Sequence, residues 1–134
     1  MAVSTLQPAA VPERALRDWG ITPERIREAV ERIVAGSNPL RVIAFGSWAR
    51  GEHQLDSDLD LAVILDGQST VQSAGKLYAL VSGVRMSMDI LASTLAHHEE
   101  FGVSINSVHG DIKREGVVLY ERDSYGSSSI LDAA

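Results

Sequence analysis

Asp58 and Asp60 stand two residues apart at the mouth of an apolar run, Leu59 to Leu65, and this pairing limits what the chain can be. Side chains two apart on a strand share one face, so both carboxylates stand side by side, their Cα atoms roughly 6.5–7 Å apart. Leu59, Leu61, Val63 and Leu65 fill the opposite face, which must then meet a core. Two carboxylates on one face repel each other unless something positive sits between them. Hard oxygen donors at this spacing suit Mg²⁺, and Mg²⁺ in proteins usually arrives with phosphates.

The residues upstream answer to that chemistry. Arg41 to Phe45 reads as a strand running into Gly46-Ser47, a turn that offers backbone N–H groups and a hydroxyl to an anion. Arg50 can pair with phosphate oxygens or lie on the surface, and Gly51 suits a positive-φ turn. Gly51 is followed by Glu52 rather than Lys-Ser/Thr, which excludes a P-loop, and a dinucleotide fingerprint is excluded because Gly46-x-Gly is absent. A calcium loop started at Asp56 would put Leu61 where Gly is needed and Gly67 where Glu is needed.

The remaining elements follow from caps and periodicity. Thr22-Pro23-Glu24 starts a helix whose stripe is Ile26, Ala29, Val30, Ile33 and Val34, with Gly36 and Pro39 as its stop. Ser69 or Thr70 caps a second helix with Val71, Ala74, Leu77, Tyr78 and Val81 inward, ended by Gly83. Arg85 to Leu91 alternates as a third strand and leaves Asp89 on its polar face. Ser93 caps a short helix through Phe101, Ser104 starts another that stops at Gly116, and Val117 to Tyr120 forms a last strand. His97 and His98, adjacent on a helix, point apart and read as solvated positions; Trp48 suits either stacking on a base or bracing its turn. The order predicts a small sheet with helices packed on its apolar face and the other face open at the carboxylates.

Composition sets outer bounds. The chain has 134 residues, enough for one domain, and no apolar run approaches the ~18–20 residues of a membrane span. It has no cysteine and no secretory signal, which fits a cytoplasmic setting. Twelve Lys and Arg against 18 Asp and Glu give a net charge of −6, which disfavours direct nucleic-acid binding. Residues 1–20 read as an extension with a short helix from Pro12, 21–121 as the domain, and 122–134 as a flexible tail.

Gly46-Ser47, ten residues, then Asp58-Leu59-Asp60 resembles the signature of the DNA polymerase beta-like nucleotidyltransferases, and the wider GSWARGEHQLDSDLDLAV is similar to their minimal nucleotidyltransferase branch. The resemblance runs from about Thr22 to Tyr120. It implies a mixed α/β (α+β) fold and transfer of a nucleotidyl group, AMP from ATP, with two Mg²⁺ ions as cofactor. Asp58 and Asp60 would ligate both ions, Asp89 would be the third ligand and take the nucleophile's proton, and Gly46, Ser47 and Arg50 would bind the triphosphate. Proteins of this size in the branch resemble antitoxins that AMPylate a tyrosine of a HEPN-type RNase toxin. The chain lacks the extra domain that larger relatives use to hold their acceptors, which favours an acceptor surface supplied by a partner. Two other readings stay open: transfer to a small molecule such as an aminoglycoside, with the enzyme as a homo-oligomer, and a binding-only antitoxin.

Overall fold

The computed structural model describes residues 19–54, 57–67, 73–101, 108–122 and 128–130. Helix α1, Pro23–Ser37, begins as its sequence demands: the Thr22 side chain accepts the Arg25 N–H at 3.1 Å, with Pro23 in the first turn and Glu24 at its positive end. Ile26, Ala29, Val30 and Ile33 are buried along one stripe. The helix does not stop at Gly36. It continues to Ser37 and closes on Asn38, left-handed at φ 48°, whose N–H donates to the Val34 carbonyl. Gly36 lies inside the helix, where a Cβ would collide with the Leu80 side chain.

Strand β1 (Arg41–Phe45) runs into a four-residue helix, α2 (Gly46–Ala49), and β2 is Leu59–Leu65. Helix α3 is Ser73–Leu80; its expected caps, Ser69 and Thr70, lie outside the described residues. Strand β3 is Met88–Thr94, three residues later than its alternation predicts. Among the described residues it pairs only with β2, and that ladder runs from Leu59↔Met88 to Leu65↔Thr94, so Arg85 and Met86 precede the paired register while the Ser87 carbonyl accepts the Leu59 N–H at 2.9 Å. The helix that follows, α4 (Leu95–Phe101), is capped by Thr94, whose hydroxyl accepts the His97 N–H at 3.2 Å, and not by the buried Ser93. Helix α5 is Val108–Glu115, β4 is Val117–Arg122 and β5 is Ser128–Ile130; the expected start at Ser104 lies outside the described residues. The stretch read as a tail thus includes a strand, and Tyr125 lies outside the described residues; of the helix expected from Pro12 to Gly20, residues 12–18 also lie outside them and Trp19-Gly20 form a bend.

The five strands form one mixed sheet in the order β3-β2-β1-β4-β5, with β2 and β3 parallel and the other neighbours antiparallel. Leu59, Leu61 and Val63 meet α1 and α3 in the main core with Val42, Ala44, Leu119 and Tyr120. Fully burying a side chain of this size is worth about 1.5–3 kcal/mol. The opposite face is not wholly open. Ile43, Ala62 and Ile64 form a smaller cluster there under Ile112 of α5, so helices cover both faces and the predicted single layer gains a second, smaller one. Among the described residues, no helix is long and apolar enough to cross a membrane.

Candidate active site

The predicted acids lie at one end of the sheet. Asp60 faces Phe45 across the β1–β2 ladder and is in register with Asp89 on β3. Adjacent strands lie about 4.8 Å apart, so register places Asp60 and Asp89 side by side on the face that farther along carries Ala62, Ile64 and Leu91. Asp58 precedes β2 by one residue and accepts a hydrogen bond from the Ser87 hydroxyl. Asp89 is exposed and its Oδ1 accepts from the Tyr78 hydroxyl at 3.4 Å.

Asp60 carries the electrostatic strain of this arrangement. Burial raises its carboxyl above the ordinary carboxylate value, the charges of Asp89 and Asp58 raise it further, and Arg50 offsets part of that rise. Oxygen donors of this kind fit Mg²⁺, and the crowding at Asp60 is the penalty a cation would relieve. Among the described residues, no group of three or more His, Cys, Asp or Glu is placed so that it could hold a metal ion, so Asp58, Asp60 and Asp89 do not converge as the sequence leads one to expect.

Gly46 brings the preceding turn onto Asp60. Its φ is +75°, and a Cβ there would collide with Asp60 Oδ2, so both backbone and space require glycine. Ser47 follows in α2, and its carbonyl accepts the Glu52 N–H at 2.8 Å, folding the loop back on the turn. Gly51 also has positive φ, +74°, but with open space around it, in keeping with a turn. Arg50 sits within electrostatic reach of Asp60, yet its guanidinium is bonded to Glu52 at 2.9 Å and Glu115 at 3.2 Å. Trp48 packs against the main core, which matches bracing of the turn.

Two aromatic residues differ from expectation. Tyr78, expected in the core, is 42% exposed, because α3 turns Leu77 and Val81 inward and leaves Tyr78 about 100° away from Leu77. Its hydroxyl accepts the Ile90 N–H at 2.8 Å as well as reaching Asp89. The helical phase was the available signal. His98, expected in solvent, is 1% exposed, while its neighbour His97 is exposed. The two do point apart, but α4 packs against the sheet and α5, so one of them points inward. The side chain of His109 lies outside the described residues.

Comparison with known proteins bears on this geometry. The family model described as "Polymerase beta, Nucleotidyltransferase" matches residues 28–125. A protein of Methanocaldococcus jannaschii named "Putative protein adenylyltransferase" is 31% identical over 64 residues, 48% of this chain and 65% of that protein, so the match spans about two-thirds of the relative's length and no more. A crystal structure from Sulfolobus solfataricus, described as a "putative nucleotidyltransferase", superposes with a TM-score of 0.51 at 19% identity, over 86% of this chain and 89% of that one. At that identity the likeness speaks for the fold.

Proposed function

Because the chain belongs to the polymerase beta nucleotidyltransferase family, we propose that it is a nucleotidyltransferase that moves AMP from ATP to an acceptor hydroxyl at the Asp58, Asp60 and Asp89 end of the sheet. The observation that carries this reading is the register of Asp60 with Asp89, with Gly46 closed down on Asp60. It puts Asp60, Asp89 and the Gly46 turn beside one another, which supports the reading.

In the proposed step the acceptor oxygen attacks the α-phosphorus, a new O–P bond forms, and the bond to the bridging oxygen of the β-phosphate breaks. Pyrophosphate leaves and the acceptor proton passes to Asp89. Asp58, Asp60 and Asp89 would hold Mg²⁺, which when bound neutralises charge on the triphosphate oxygens. Gly46 permits the close turn, and the backbone N–H groups and hydroxyl at Ser47 bind the β- and γ-phosphates. Arg50 would reach phosphate by leaving Glu52 or Glu115, both solvent-exposed pairs that hold it only weakly. Positioning and charge neutralisation supply the rate, without a covalent enzyme intermediate.

The acceptor in this proposal is a tyrosine of a HEPN-type RNase toxin, which makes the chain an antitoxin that acts by AMPylation. The support is the branch resemblance of the Gly46–Val63 motif together with a relative whose name states a protein acceptor. The test is co-expression with a HEPN-type protein encoded beside it, followed by intact mass and by labelling with α- or γ-labelled ATP. The proposal expects the partner to gain AMP and the α-label. Transfer of the γ-label, or an unmodified partner that is still neutralised, contradicts it; the second result is the binding-only alternative. Labelling of an aminoglycoside instead is the small-molecule alternative.

A further inference from the structure

We propose that Tyr78 is a positioning residue that holds Asp89 in the orientation needed to ligate the cation; this rests on the proposed role of the three acids. Tyr78 projects from α3 over the outer side of β3, the edge strand of the sheet. Its ring is 42% exposed, so burying apolar surface does not account for its place. The hydroxyl oxygen accepts the Ile90 N–H at 2.8 Å, a backbone donor fixed by the strand itself. A phenol has a single proton to donate. With its oxygen anchored on Ile90, that proton goes to Asp89 Oδ1 at 3.4 Å, one residue away on the same strand. The remaining Asp89 oxygen is the one proposed to ligate the cation, beside Asp60, its neighbour in register.

Asp58 has the matching arrangement. The Ser87 hydroxyl, just before β3, donates to Asp58 Oδ1. Asp58 and Asp89 are therefore each bonded by a hydroxyl from the β3 segment or from α3, while the Gly46 turn lies close against Asp60. Partners of this kind fix the orientation of a ligating carboxylate, and losing one typically costs 10–100-fold in metal affinity or activity. At 3.4 Å the Tyr78 bond lies at the long end of hydrogen bonding, which places its effect near the lower figure.

The test is Tyr78→Phe, which keeps the exposed ring and removes only the hydroxyl. Mn²⁺ binding is measured by titration calorimetry in the presence of a non-hydrolysable ATP analogue, alongside AMP transfer over a range of Mg²⁺. The variant should bind Mn²⁺ about 10-fold more weakly, with near-wild-type circular dichroism and melting, and raising Mg²⁺ should restore its turnover. A merely structural role would not respond to the cation. In an Asp89→Asn background, Tyr78→Phe should change Mn²⁺ affinity no further. Equal Mn²⁺ affinity in wild type and Tyr78→Phe, or additive effects with Asp89→Asn, overturns the role of Tyr78 and leaves the proposed role of the acids standing. A wild-type protein that binds no Mn²⁺ overturns both.

Discussion

At Gly46 the backbone sits at φ +75° and the Asp60 carboxylate occupies the space a Cβ would take. Gly51 shares the backbone conformation, at φ +74°, without the obstruction. The pair separates strain from collision. Gly51→Ala should cost about 1–2 kcal/mol in urea denaturation and leave transfer near wild type. Gly46→Ala should cost more than that and abolish transfer, because the turn or Asp60 must move. Asp60 itself makes stability depend on pH. Its folded carboxyl holds a proton more tightly than the unfolded chain does, chiefly through burial and then through Asp89 and Asp58. Between its ordinary value and the raised one, the folded state binds more protons, so stability falls as pH rises through that window. Asp60→Asn should remove this slope and melt higher than wild type at neutral pH without divalent cation, in thermal scans across the acid range. A variant that melts lower at neutral pH would contradict the cause assigned to the shift. The acids were legible in the sequence because a period of two and the chemistry of carboxylates place them together. Tyr78 and His98 were not, since exposure of a helical residue depends on where the helix lies, and spacing alone leaves that free.

Helix α1 illustrates an element written almost fully in its own residues. Thr22→Ala removes the acceptor for the Arg25 N–H and should lower stability by about 1 kcal/mol in urea denaturation. Its end was less legible, because Asn38 adopts the left-handed conformation that Gly36 was expected to supply. Strand β3 shows a different limit. Its alternation is visible from Arg85 onward, with Met86 and Ile90 buried as the pattern predicts, but a strand needs a partner and β2 supplies one only from Leu59↔Met88. Helix α5 contributes Ile112 to the smaller cluster with Ile43, Ala62 and Ile64. Ile112→Ala should cost about 2–5 kcal/mol by the same denaturation measurement. A loss well under that range would mean that α5 is held mainly by surface pairs such as Glu115–Arg50.

Over the whole molecule, the mixed α/β class and the element order as far as β4 were readable, but β5 and the strand order were not. Nothing local in β1 dictates that it sits between β2 and β4, and the antiparallel β1–β2 ladder is what brings the Gly46 turn to Asp60. Within a chain of net charge −6, Asp60 lies in register with Asp89 at one end of the sheet and feels the charge of Asp58 as well. Such a cluster costs the folded chain stability, and the proposed metal-dependent transfer would give it a use. The most direct measurement compares wild type with Asp58→Asn plus Asp60→Asn for transfer of label from α-labelled ATP in Mg²⁺, using acceptor supplied by co-expression. Wild type should transfer label with release of pyrophosphate, and the folded double variant should transfer none. A double variant that is still active would contradict catalysis by these acids.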